Sequence, residues 1–148
     1  MLRSIWVRVG IIAVILVAAF LLRQFVSGNA GDLAVGDCFD RPTTGGDTVS
    51  DVSHHPCTDK HDAEVVYVGT YAPVGSDYPT DPDFQAFFDA NCAPAFNTYT
   101  GLDFATDTTF DMTAYTPTQD GWTKGDHTFI CFAYRIDRGQ MTSSIKKS

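Results

Sequence analysis

The residues of this 148-residue chain best equipped for chemistry lie between His54 and Glu64. The run reads His54-His55-Pro56-Cys57-Thr58-Asp59-Lys60-His61-Asp62-Ala63-Glu64, so imidazoles, a thiol and carboxylates stand close together. His55, Cys57 and His61, with His54 adjacent, have the donor atoms of a zinc site. No second close pair completes a four-ligand set. His61-Asp62-x-Glu64 has the groups for general acid–base work. Yet no serine stands in a nucleophile-elbow context, and no free cysteine is expected as a partner. The acidic stretch Asp77-x3-Asp81-x-Asp83 could hold calcium loosely, but Pro79, Pro82 and the missing glycine do not fit an EF-hand loop. There is no glycine-rich phosphate loop. A structural or surface histidine at position 61 is the expectation, with no catalytic, cofactor-binding or metal-binding residue assigned.

The compartment decides what the cysteines do. Val9 to Leu22 is an uncharged apolar run bracketed by Arg8 and Arg23. About ten strongly apolar residues favour insertion into a bilayer by ~4 kcal/mol. Residues 5–26 form roughly 33 Å of helix, enough to cross, and the flanking arginines can snorkel to the headgroups. Arg3 and Arg8 precede the run, which puts the N-terminal stub in the cytoplasm and the chain from Gly31 onward outside. The alternative is a signal peptide cleaved after the small-x-small pattern Gly28-Asn29-Ala30, leaving a secreted binding domain. Both readings export the same domain.

All 18 acidic residues lie from Asp32 onward, against seven Lys or Arg, a formal charge of −11. Such a balance argues against nucleic acid and against docking on anionic lipid headgroups. It also keeps an exported domain soluble. Four cysteines in an exported chain of this size read as two disulfides, which allow three pairings. Position favours Cys38–Cys57, flanking a core-poor loop and weak strand. It also favours Cys92–Cys131, from a buried helical face to the most apolar strand.

The elements that must position these groups make a small α+β domain with a mostly antiparallel sheet of three or four strands and one helical segment. Glu64–Tyr71, Thr108–Thr116 and His127–Ile136 read as strands, and 48–52 as a weaker one. Phe84, Phe87, Phe88, Asn91 and Cys92 follow helical spacing after a cap at Thr80 or Asp81, with Pro82 in the first turn and Gly101 at the end. Pro94 is expected to kink or restart that helix. His54 to His61 reads as irregular, and Pro117 to Asp126 as a turn carrying Trp122. The expected organisation is a stub and anchor over 1–30, one exported domain over 31–138, and a loose polar tail over 139–148.

Four short motifs occur in order: Val35-Gly36-Asp37-Cys38, Cys57-x3-His61-x2-Glu64, Cys92-x3-Phe96 and Trp122-x2-Gly125-Asp126-x4-Cys131. Together they resemble the septum-formation domain family of actinobacterial membrane and envelope proteins, although His127 stands where that pattern carries arginine. The resemblance implies a membrane-attached extracytoplasmic domain linked to cell division or the cell envelope. It implies no reaction, so Gly36, Asp37, His61, Glu64, Trp122, Gly125 and Asp126 are motif positions without an assigned role. The reading is a single-pass membrane protein with a non-enzymatic outer domain that binds an envelope protein or cell-wall partner. The alternative is an envelope hydrolase or metal-dependent enzyme using His61, Asp62 and Glu64.

Overall fold

The computed structural model describes residues 28–42, 49–72 and 77–148. The anchor expected across residues 5–26 lies outside them. Among the described residues, no helix is long and apolar enough to cross a membrane. In chain order the elements are β1 (Gly28–Asn29), a 3-10 turn (Ala30–Asp32), β2 (Cys38–Asp40), β3 (Asp51–His55) and β4 (Ala63–Thr70). Then come α1 (Asp81–Thr100), β5 (Phe110–Tyr115), α2 (Gln119–Thr123) and β6 (Thr128–Arg135).

All strand pairings are antiparallel, in the order β1-β3-β2-β4-β6-β5. The eight-residue β4 and β6 form the centre, and their alternation supplies two apolar faces. Ile130 and Phe132 join Phe39, Val52, Ala63 and Val65 on one face. Phe129, Cys131 and Ala133 join Val66, Cys92, Phe96 and Met112 under α1 on the other. The pairing shifts between Val65 and Tyr67, so β4 carries a bulge there. Val66 and Tyr67 consequently both pack on the helix side. The Tyr67 ring lies back over Gly69, where any Cβ would collide with it.

Helix α1 starts where its polar signals place it. Thr80 is the N-cap, and the Asp83 carboxylate accepts from the Thr80 amide at 2.9 Å and its hydroxyl at 2.6 Å. Those bonds hold the Asp83 carboxyl below its usual range. Gly101, at φ 77°, closes the helix in the left-handed conformation that glycine adopts without cost. Pro94 does not restart it: the helix runs unbroken for 20 residues.

Three sequence expectations change. His54 and His55 belong to β3, held by pairing with Phe39 and Cys38, although their polar pattern carries no strand signal. Residues 117–126 are not all turn, because Thr118 caps α2 by accepting from the Gly121 amide. The tail is not loose. Met141 is buried and exchanges backbone hydrogen bonds with His61, at 3.1 and 2.8 Å, while the Lys147 amide donates to the Tyr99 carbonyl at 2.9 Å.

One face also carries a pH signature. Tyr115 packs against Phe132 and Phe39, with ring centroids 4.6 and 6.2 Å apart. Burial pushes its phenol up to about 12; nearby Arg41 lowers it and Asp62 raises it. The ordinary value is 10.0, so the folded protein keeps this proton at a pH where the unfolded chain loses it. The resulting stabilisation is fully present below about pH 10 and is lost as pH rises through about 12. Denaturant titrations should show stability falling in that window, and Tyr115→Phe should flatten the fall. An unchanged slope in the variant would refute the assignment.

Candidate functional site

The residues of the first two motifs converge on the start of β4. Gly36, at φ 95°, needs the freedom of glycine to reverse the chain. Its amide donates to the Val65 carbonyl, and the Val65 amide donates to the Asp37 carbonyl, both at 2.9 Å. Asp37 closes the same turn by accepting from the Ala34 amide at 2.8 Å. Cys38 follows directly and is bridged to Cys57, their Cα atoms 5.2 Å apart. The second bridge joins Cys92 to Cys131. These are the pairs that position in the sequence favours.

The acid–base candidates separate into three different contacts. His61 is fully buried, and its Nδ1 lies 2.8 Å from the Asp59 carbonyl. A carbonyl only accepts, so Nδ1 carries the hydrogen there. Asp62 instead accepts from the Arg41 amide at 3.1 Å. Glu64 turns to the helix side and is also fully buried. Its Oε1 accepts from the Tyr99 hydroxyl at 2.5 Å and the Ser144 hydroxyl at 2.6 Å, and its Oε2 from the Ile145 amide at 2.8 Å. Burial and the neighbouring Glu64 push the Tyr99 phenol far above its ordinary value. The arrangement is a buried carboxylate that ties α1 and the C-terminal segment to β4. It is an anchor, with both carboxylate oxygens already engaged.

The zinc candidates are likewise dispersed. His55 pairs with Asp40 at 2.8 Å, His61 with the Asp59 carbonyl, and Cys57 is in a disulfide. Among the described residues, one group brings ligand atoms together, Cys38, Cys57 and Glu64, and both its sulfurs are bonded to each other. Disulfide sulfurs are not thiolates and lack the ligand character that metal binding needs. Of the acidic stretch, Asp83 is committed to the α1 cap.

The last motif builds a corner ahead of β6. Trp122 is buried on α2, stacked flat on His127 at 3.9 Å between ring centroids and packed edge-on against Tyr78. Gly125, at φ 89°, turns the chain, and Asp126 accepts from the Thr128 amide at 3.0 Å to start the strand. His127, which stands where the family pattern carries arginine, meets Trp122 by stacking. In the sequence Tyr99 reads with Phe96 as part of the apolar helical face and not as a site residue, and Ser144 and Ile145 are not singled out. Tyr99 continues the helical spacing from Phe96, a usable signal. Ser144 and Ile145 lie about 80 residues from Glu64 and carry none.

A disulfide-stapled antiparallel sheet crossed by one long helix, with its motif residues engaged in holding the chain together, defines a small α+β domain. The chain belongs to the septum formation family, whose model matches residues 35–148 and so takes in the C-terminal segment held by Glu64. No curated protein and no solved structure matches it.

Proposed function

We propose that this chain is a single-pass membrane protein of the actinobacterial envelope whose outer domain binds an envelope protein or cell-wall partner during septum formation, without catalysing a reaction. The family match across the whole described domain from Val35 onward carries this reading, because it ties the chain to septum formation. Two disulfides support an oxidising compartment outside the cytoplasm. The internal engagement of Glu64 and His61 supports binding over catalysis, since a general acid or base must reach a substrate. The apolar run flanked by Arg8 and Arg23 supports the anchor, and Arg3 and Arg8 support an N-terminus on the cytoplasmic side.

The test is a pair of fusions at Ser148. A reporter that works only outside the cytoplasm should be active, and a periplasm-compatible fluorescent protein should concentrate at division septa. A reporter active in the cytoplasm would overturn the topology. Uniform labelling of the envelope would remove the septal role.

A further inference from the structure

Among the described residues strand β5 ends the sheet, and a groove of about 480 Å³ runs between it and the N-terminal half of α1. Half-buried Phe84 and Phe88 on the helix, Phe104, and Met112 and Ala114 on the strand line it. Every ionisable side chain lining it is a carboxylate: Asp81, Asp89 and Asp111. The strand also offers backbone. The Ile136 amide donates to the Thr109 carbonyl at 3.0 Å, which fixes the ladder phase. Strict alternation from that pair turns the peptide groups of Phe110, Met112 and Ala114 away from β6, toward the free edge. Two of these amides are guarded by carboxylates, Phe110 by Asp107 at 2.6 Å and Met112 by Asp111 at 2.8 Å. Ala114, which also lines the groove, is left at the edge with the Met112 carbonyl.

We propose that this groove docks an extended, basic polypeptide segment that pairs with β5 around Ala114. Strand addition supplies main-chain hydrogen bonds, and alternate side chains of an added strand point to one face. Apolar side chains of the guest would then enter on the α1 side between Phe84 and Phe88, and the alternating lysines or arginines would meet Asp111 on the opposite side. Basic residues flanking the paired stretch would meet Asp81 and Asp89 on the helix. A basic residue beside Asp111 also competes for the carboxylate that guards the Met112 amide, so docking and edge opening favour each other. A second copy of this chain is the poorer occupant, because pairing through β5 would set the same carboxylates against one another. The inference rests on the binding reading above and names the chemistry of its partner.

The probe is a short synthetic peptide of alternating lysine and valine with a lysine pair at each end, titrated into the purified full-length chain, with the corresponding glutamate–valine peptide as its counterpart. The lysine peptide should bind, weaken as salt is raised, and slow amide exchange at Ala114; the glutamate peptide should not bind. Asp89 is exposed on α1, so Asp89→Lys should leave the fold intact while weakening the lysine peptide by about fivefold. Ala114→Pro removes the edge donor and should weaken binding of the lysine peptide by about tenfold, and Asp89→Lys decides the matter if that variant does not fold. Equal binding of both peptides, protection confined to other strands, or a dimer in sedimentation that Asp89→Lys disrupts would each overturn the proposal. Because the assay is blind to location, its failure leaves the septal reading standing, and misplaced fusions leave the groove standing.

Discussion

Glu64→Ala should release the C-terminal segment and cost the domain roughly 3–5 kcal/mol. Three donors converge on this one carboxylate, the Tyr99 and Ser144 hydroxyls and the Ile145 amide, and Glu64 itself has no exposure to water. Hydrogen bonds to a charged group are individually the stronger kind, and removing their shared acceptor leaves several donors without a partner at once. A domain of this size has a total stability on the order of 5–15 kcal/mol, so the variant is expected near the edge of folding. Glu64→Gln is the informative companion. It keeps the shape, one oxygen for the Ile145 amide and an NH2 that can donate to the Tyr99 and Ser144 hydroxyls, but it loses the charge-assisted bonds, so a smaller loss of about 2 kcal/mol is expected. Denaturant midpoints measure the stability. Limited trypsin cleavage at Lys146 and Lys147 reads the tail, which should be cut quickly in the variants and slowly in the parent. A Glu64→Ala protein of parental stability with a protected tail would show that Glu64 is not the anchor.

This carboxylate also shows what a sequence can and cannot disclose. Its neighbourhood was legible as a cluster of chemical groups, because His61, Asp62 and Glu64 stand together in the chain. Their separation was not, because only Glu64 lies in β4 and each of the three takes its partner from a different segment: His61 pairs with Met141, Asp62 with Arg41, and Glu64 with Tyr99, Ser144 and Ile145. The tail was read as loose for a related reason. Residues 139–148 carry no apolar periodicity, and what holds them is one side chain about 80 residues earlier together with backbone hydrogen bonds of Met141 with His61 and of Lys147 with Tyr99. Helix α1 was legible at both ends because local chemistry sets them: Thr80 with Asp83 at the start, Gly101 at the close. Strand β6 was legible as the most apolar run, but its split into Phe129, Cys131 and Ala133 on the α1 side and Ile130 and Phe132 on the other was not, because both faces are apolar. Strand β3 was only partly legible. Val52 fell in the expected strand, but His54 and His55 extend it through long-range pairing with β2, next to the Cys38–Cys57 bridge. The single turn of α2 was missed because five residues are too few for a periodic signal.

The helix-to-sheet bridge should matter more than the N-terminal one. Cys92→Ala with Cys131→Ala should cost about 4 kcal/mol through the freed unfolded chain, since the bridged residues are 39 apart. The 19-residue separation of Cys38 and Cys57 gives roughly 3 kcal/mol by the same reasoning. Packing widens the gap. Cys92 and Cys131 are both fully buried, in the cluster with Phe96, Met112 and Phe129, and truncating them leaves a void under α1 that its neighbours fill only in part. Cys57 is half-buried, so the other pair loses less contact. The N-terminal bridge also has local support, because β2 stays paired to both β3 and β4 by backbone hydrogen bonds when the sulfurs are gone. Helix α1 has no such ladder to the sheet: it is held by side chains, by Glu64 and by this bridge. The Cys92/Cys131 variant should therefore show the lower denaturant midpoint, with faster amide exchange concentrated along α1. Equal midpoints, or a larger loss in the Cys38/Cys57 variant, would mean that the side chains under α1 hold the helix without the covalent link.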